Sequence, residues 1–337
     1  MENIALAIAL SSIDFLNSFE KTTLHAKLKA LESAGLVNPL EFLKSSSFGQ
    51  VAALAERDKN RPLRVRRWDS DEKVRLAKKS ALEAKAMGIS FVLRLDPLYP
   101  PLLAEISDPP FALFYRGDVS ALSGKTVAVV GTRRLCLEAR SAAHGFSYDA
   151  AASGYCVVSG LALGADGAAH QGACDAFFDK KTACVKTAAV VAGGVDNVFP
   201  ACHKKLAGKI IQNGGVLLSE CPPGFQSEKW RFVSRNRIIA GLAPATVVIQ
   251  APPGSGALLT ADFALGYNRE LFFHQACFCK NALVLSGLVH KKLEAQGGAA
   301  AARKIETRPE AYVADGARVI SSFEDFERNF EGAELFP

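Results

Sequence analysis

The residues best suited to chemistry in this chain are arginines and glycines at the ends of short apolar runs. Lys125-Thr-Val-Ala-Val-Val-Gly-Thr-Arg-Arg134 is one such run, ending at Gly131 and releasing Thr132 and Arg133. A glycine there lets backbone approach a ligand. Amides at the start of a following helix can hold a phosphate, and Arg133 adds a bidentate donor. Ser255-Gly256, opening another helical stretch, is a second anion-friendly turn, and Lys204 and Lys205 follow Phe199-Pro200 in a third. Trp230-Arg-Phe-Val-Ser-Arg235-Asn236-Arg237 sets three arginines among two aromatics, which suits phosphate contacts with base stacking. The competing role for that segment is a buried arginine–carboxylate network. Ser159-Gly160 ends one more run and is a further candidate for ligand contact, and beyond it Asp166 and His170 stand four apart, on one helix face. An Asp–His pair can move protons. No nucleophile or third metal ligand accompanies this one at a recognised spacing, so a structural hydrogen bond is expected and no catalytic residue is assigned.

These residues need a scaffold that gathers them. Residues 126–130, 155–159, 187–192, 215–219 and 245–251 are apolar runs separated by helix-length segments. Repeats of this strand–turn–helix kind predict an α/β fold with an extended, Rossmann-like, doubly wound and mostly parallel sheet. Such sheets bind ligands outside the carboxyl ends of their strands. The dinucleotide and P-loop glycine fingerprints are both missing from this one. Leu24, Leu28 and Leu31 recur at helical spacing near the N-terminus. Asn38-Pro39 reads as an N-cap followed by proline at the first helical position. Residues 1–70 are therefore expected to form a small all-helical unit, of the SAM or helix-hairpin kind, with a basic linker over 58–69. Residues 71–337 form the Rossmann-like domain, starting with a helix capped by Ser70 and a lead-in from about Gly88. Residues 296–308, rich in Ala and Gly and then charged, are expected to be a loop or poorly ordered, with one more strand and helix after Tyr312.

The 337-residue chain is 49% hydrophobic and 22% charged, which excludes a globally disordered protein. Its net charge of +6 alone says little about a polyanionic partner. The charge is concentrated, however: Arg57 to Arg94 holds twelve Lys/Arg against five Asp/Glu. Eight cysteines without a C-x-x-C pair favour buried thiols over a disulfide framework, hence a reducing, cytoplasmic compartment. No metal site, cofactor or membrane segment is expected.

Taken together and in order, several of these motifs resemble the DNA-processing protein A family (DprA, or Smf). They are Val130-Gly-Thr-Arg133, Ser159-Gly-Leu-Ala-x-Gly-x-Asp166 with His170, Phe199-Pro200, Ser219-Glu220, Arg235-Asn-Arg-Ile-Ile-Ala-Gly241 and Ser255-Gly-Ala-Leu-x-Thr260. The resemblance covers about Gly88 to Tyr267, and more faintly Tyr312 to Phe330. It implies a non-catalytic protein that binds single-stranded DNA, forms a homodimer, and loads the RecA recombinase onto incoming DNA in natural transformation. It implies DNA contacts at Arg133, at Lys204 or Lys205, and at the Arg235-Asn236-Arg237 motif, whose role is partly structural. The chain departs from the family after Tyr267, where Leu271-Phe-Phe-His-Gln-Ala-Cys-Phe-Cys279 replaces the usual pattern. The winged helix that many members carry at the C-terminus is expected to be absent.

The rival reading is a Rossmann-like phosphoribohydrolase acting on nucleoside monophosphates. Pro253-Gly-Ser-Gly-Ala-Leu-Leu-Thr260 loosely resembles the motif of that enzyme class, but the catalytic glutamate would fall on Ala261. A third reading, a protein-interaction scaffold, leaves the Gly and Arg at strand ends unexplained.

Overall fold

The computed structural model describes residues 1–60 and 69–331. Arg64, Arg66 and Arg67, the centre of the basic stretch and of the expected linker, lie outside the described residues.

Among the described residues five helices come first: α1 (Glu2–Ser11), α2 (Ser18–Ser33), α3 (Pro39–Ser45), α4 (Phe48–Leu54) and α5 (Ser70–Ala86). Asn38 caps α3, accepting from the amides of Leu40 and Glu41. Ser47 and Gln50 form a reciprocal capping box on α4. α1 is the hub, with every residue from Ala5 to Leu10 buried. A helix apolar all round has to sit inside others. The carbonyls at its C-terminal end receive Lys21 Nζ at Ser11 (2.9 Å) and Lys73 Nζ at Ser12 (2.9 Å), so α2 and α5 tie its end from two sides. One expectation changes here. Asp69, not Ser70, caps α5, accepting from the Glu72 amide, while the Ser70 hydroxyl donates to the Lys44 carbonyl. α5 also buries Val74, Ala77, Ala81 and Ala84 in the same core as α1.

The rest of the described residues build a nine-stranded sheet with flanking helices: β1 (Ser90–Leu93), then the short α6 (Pro101–Ala104), β2 (Ala112–Gly117), β3 (Thr126–Val130), β4 (Cys156–Ser159), β5 (Thr187–Val190), β6 (Val216–Ser219), β7 (Ala245–Val248), β8 (Glu270–His274) and β9 (Arg318–Ile320). Its order is β1-β2-β6-β5-β4-β3-β7-β8-β9. β3 to β9 pair in parallel, and the antiparallel pairings are β1–β2 and β2–β6, so β2 alone runs against the other strands. The fold is α/β and doubly wound, as the apolar runs require. Central strands are buried on both faces, which is why they read as continuous apolar runs instead of alternating ones.

The divergent segment after Tyr267 still supplies a strand. Phe272 pairs opposite Val247, and Phe272 and Phe273 are both fully buried on opposite faces. Residues 296–308 are not a loop: α12 (Lys280–Gln296) and α13 (Gly298–Glu306) occupy the region, followed by α14 (Pro309–Ala314). The Ala run there favours helix, and the glycines fall between the two helices. Gly297 and Gly298 turn the chain at φ 62° and 82°.

Candidate nucleic-acid interface

Strand order reverses at β3, with β4 on one side and β7 on the other. The crevice outside the carboxyl ends of β3 and β7 is therefore where this topology leaves room for a ligand. A cleft of about 780 Å³ opens there, lined by Gly131 to Arg134, Phe199, Lys229, Phe232, Asn236 and the turn from Pro252 to Gly256.

Backbone packing builds its floor. The Thr132 amide donates to the Gln250 carbonyl (2.7 Å), and the Ala165 amide donates to Thr132 O (3.2 Å). A Cβ on Gly131 would lie 2.7 Å from the Ala165 Cβ. Gly164, at φ 81°, would bring one to 2.2 Å from Thr132 O. Side chains at these positions would push the loops after β3 and β4 apart. Held this closely, the first loop has nowhere to put Arg133 and Arg134 except the surface, where both are exposed.

α10 (Lys229–Gly241) forms one wall. Arg133 Cζ lies 5.3 Å from the centre of the Phe232 ring, and Phe232 meets Phe199 edge-on at 5.7 Å. Phe199 is 52% exposed. A cation over one ring and a second ring at the cleft mouth offer a phosphate partner beside flat apolar surface. Lys229 and Arg134 add positive charge along the same lining. The opposite wall is the start of α11 (Gly256–Gly266), whose N-cap is Ser255. Asn236 reaches across to it, its Nδ2 donating to Gly256 O at 3.2 Å. Ser255, Gly256 and Ala257 bring the positive end of that helix to the cleft, with the Ala257 amide capped by the Ser255 hydroxyl.

The sequence-derived residues divide into two sets. Gly131, Thr132, Arg133, Asn236, Ser255 and Gly256 come together around the cleft, with Arg235 in its floor. Lys204 and Lys205 are exposed at the start of α9 (Lys204–Gln212), beyond the Phe199 edge and outside the cleft lining. Ser159 is fully buried, and its hydroxyl donates to Val129 O (2.6 Å), so it joins β3 to β4 and presents nothing to a ligand. Gly160 is buried against Arg235. Arg235 is only 5% exposed, and its Nη1 donates to Gly160 O (2.6 Å) and Val190 O, clamping the ends of β4 and β5 under the cleft. Arg237 faces away and pairs with Glu220 (2.6 Å) and Asp108 (3.3 Å). The arginine–carboxylate network weighed from the sequence is thus the local structure of Arg237, and Arg235 is a strut. The Phe199–Phe232 pair, Arg134 and Lys229 enter the site without having been singled out; only the Phe-Pro and Trp-Arg-Phe segments signalled them.

Asp166 and His170 share α8 (Ala165–Phe178) but make no bond to each other. Burial raises the Asp166 carboxyl, and the nearby Arg235 charge only partly offsets it. The Thr187 hydroxyl donates to Val157 O, so it accepts from His170 Nδ1 (2.8 Å) and fixes that tautomer. Burial, reinforced by His203 and Arg235, drives His170 down to about 3, so it is a neutral core residue. Ala261 is fully buried within α11, so the place of the phosphoribohydrolase glutamate is apolar core. No helix among the described residues is long and apolar enough to cross a membrane.

A doubly wound α/β protein with a cationic, aromatic-edged strand-end cleft is the class this geometry defines. A family profile for DNA recombination-mediator protein A matches residues 90–323, and the chain belongs to that family. The chain is 35% identical over 189 residues to the DNA processing protein DprA of Bacillus subtilis, covering 56% of this chain and 61% of that protein. It is 33% identical over 186 residues to Protein Smf of Borreliella burgdorferi, covering 55% and 57%. These matches span about three fifths of the relatives' own lengths. The solved structure of DprA from Streptococcus pneumoniae superposes over 95% of each chain with a TM-score of 0.65 and 25% identity.

Proposed function

We propose that this protein binds single-stranded DNA across the strand-end cleft, protects it, and as a homodimer passes it to the RecA recombinase during natural transformation. The observation that carries the DNA reading is the array Arg133–Phe232–Phe199 beside the open start of α11. Exposed arginine neutralises phosphate, and exposed rings stack on bases, which a duplex keeps inside its own stack. Lys204 and Lys205 would extend the track past Phe199, and the basic Arg57–Arg94 stretch is a further candidate for it. Membership of the family and the overlay on the pneumococcal DprA support the reading as a whole. Transfer to RecA, dimer formation and a cytoplasmic setting rest on the resemblance and belong to the proposal.

The test is fluorescence anisotropy of a labelled single-stranded oligonucleotide at two salt concentrations, for the parent and Arg133→Ala. Affinity should fall with salt at a slope of about −0.7 per phosphate contact. Arg133→Ala should bind more weakly and with a shallower slope. No binding at low salt would sink the reading. For the RecA step, the readout is filament assembly on single strands already coated by a single-strand-binding protein. Equal rates with and without this chain would remove that part alone.

A further inference from the structure

A cluster of ligand-type side chains lies beside the cleft loop, on residues that the nucleic-acid reading does not use. Cys136 and Cys279 are 143 residues apart in sequence, and each is the residue before a helix: α7 (Leu137–Ala152) and α12. Neither thiol caps its helix. Their sulfurs lie 3.6 Å apart. One ligand atom each from Cys136, Glu138 and Cys279 fall within 4.8 Å of one another. We infer that these three residues form a site for a thiophilic divalent metal ion of the zinc type, pinning the start of α12 to the loop that carries Arg133 and Arg134.

The argument is geometric. Two thiolates about 2.3 Å from a tetrahedral zinc ion are separated by about 3.8 Å, close to the spacing present here. A disulfide needs about 2.05 Å between sulfurs, so the pair would have to close by roughly 1.5 Å. It would also give Glu138 no role. As a third ligand the carboxylate completes a Cys-Cys-Glu set and leaves the fourth position to solvent. Its other partner is already in place, because Asn281 Nδ2 donates to Glu138 Oε1 at 2.6 Å. Such outer partners orient a ligand and tune affinity. Binding releases the two thiol protons to solvent with no change of oxidation state. The sequence hides this site, since its ligands show no short repeat such as C-x-x-C.

Cobalt(II) titration of the reduced full chain, without oxygen, tests the inference. The expected result is one equivalent bound, with the near-ultraviolet charge-transfer band of cobalt–thiolate bonds and the visible bands of a tetrahedral ion, displaced by one equivalent of zinc. Cys136→Ser and Cys279→Ser should each weaken binding more than about a hundredfold, beyond what loss of an outer partner costs. Asn281→Ala should weaken it about ten- to a hundredfold. Zinc should also raise the melting temperature of the parent and leave Cys279→Ser unmoved. Cys279 is partly exposed, so this variant is the one to rely on if Cys136→Ser does not fold. Cys202→Ser, which removes an exposed thiol elsewhere, should bind as the parent does. Absence of the charge-transfer band, its persistence in Cys279→Ser, or its loss in Cys202→Ser would overturn the site. So would a metal-free chain that loses two titratable thiols in air and regains them with reductant, which would make the pair a disulfide.

Discussion

The guanidinium of Arg235 fills the space that any side chain at Gly160 would need: a Cβ there would sit 2.4 Å from Arg235 Nη1. The two positions are 75 apart in sequence and act as one joint, since Nη1 also donates to the Gly160 carbonyl. The floor of the cleft depends on that joint.

Gly160→Ala should therefore behave as an Arg235 defect. The methyl group meets a guanidinium that is itself buried and cannot swing into solvent. Replacing Arg235 with Ala should cost about 3 kcal/mol or more, because hydrogen bonds from a charged donor are lost and the Gly160 and Val190 carbonyls lose that donor. Urea denaturation of both variants measures this. Parent-like midpoints would show that the joint is not structural.

Arg133 and Arg237 should separate cleanly. Arg133→Ala removes an exposed side chain and should leave the urea midpoint in place while weakening oligonucleotide binding. Arg237→Ala empties a buried position and leaves the largely shielded Glu220 without its cation, so its effect should fall on stability, with an unchanged salt slope for whatever DNA the folded fraction binds. The opposite pattern would exchange their roles.

Phe232→Ala tests stacking apart from charge. Loss of one ring should weaken single-strand binding by about 1–3 kcal/mol while the salt slope stays that of the parent. A change in slope with little change in affinity would mean that the ring serves only to position Arg133.

His170 sets a pH dependence. Its folded value of about 3 lies below the ordinary 6.5, so below about pH 6.5 the unfolded chain takes up a proton that the folded chain refuses. Stability from this group is complete above that pH and is lost as pH falls towards 3, by about 1.4 kcal/mol per unit over most of the window. His25 and His274 are also lowered by burial and add slopes of the same sign. The comparison that isolates His170 is melting of the parent and His170→Gln between pH 7 and pH 5. The variant should lose less stability across that interval, and parallel curves would assign the slope elsewhere.

The sheet was legible in the sequence because central parallel strands are apolar on both faces and end at small residues. That pattern put Gly131, Thr132, Arg133, Ser255 and Gly256 at one edge. It could not separate Arg235 from Arg133, because both are arginines in segments suited to phosphate contacts, and their difference is burial, which depends on the approach of β4 and β5. The Phe199–Phe232 pair is a contact between segments more than thirty residues apart, invisible to any local period. The segment 296–308 misled for another reason. Its glycines suggested a loop, whereas they only mark the junction of two helices, and the alanines that follow them carry the helical preference. Gly254 then meets this segment, donating its amide to Thr307 O, so residues that looked peripheral close one end of the cleft.

α1 is enclosed by its neighbours, and the apolar cluster around it runs without a break to Phe114 of β2 and Leu217 of β6. Such continuity joins the fates of the two halves. Heat should melt the helices and the sheet in one cooperative step, with no temperature at which one half survives alone. A fragment starting at β1 would expose a greasy sheet face and clump, so the helices that open the chain act as a fused lid on the sheet and cannot be cut away as a passenger.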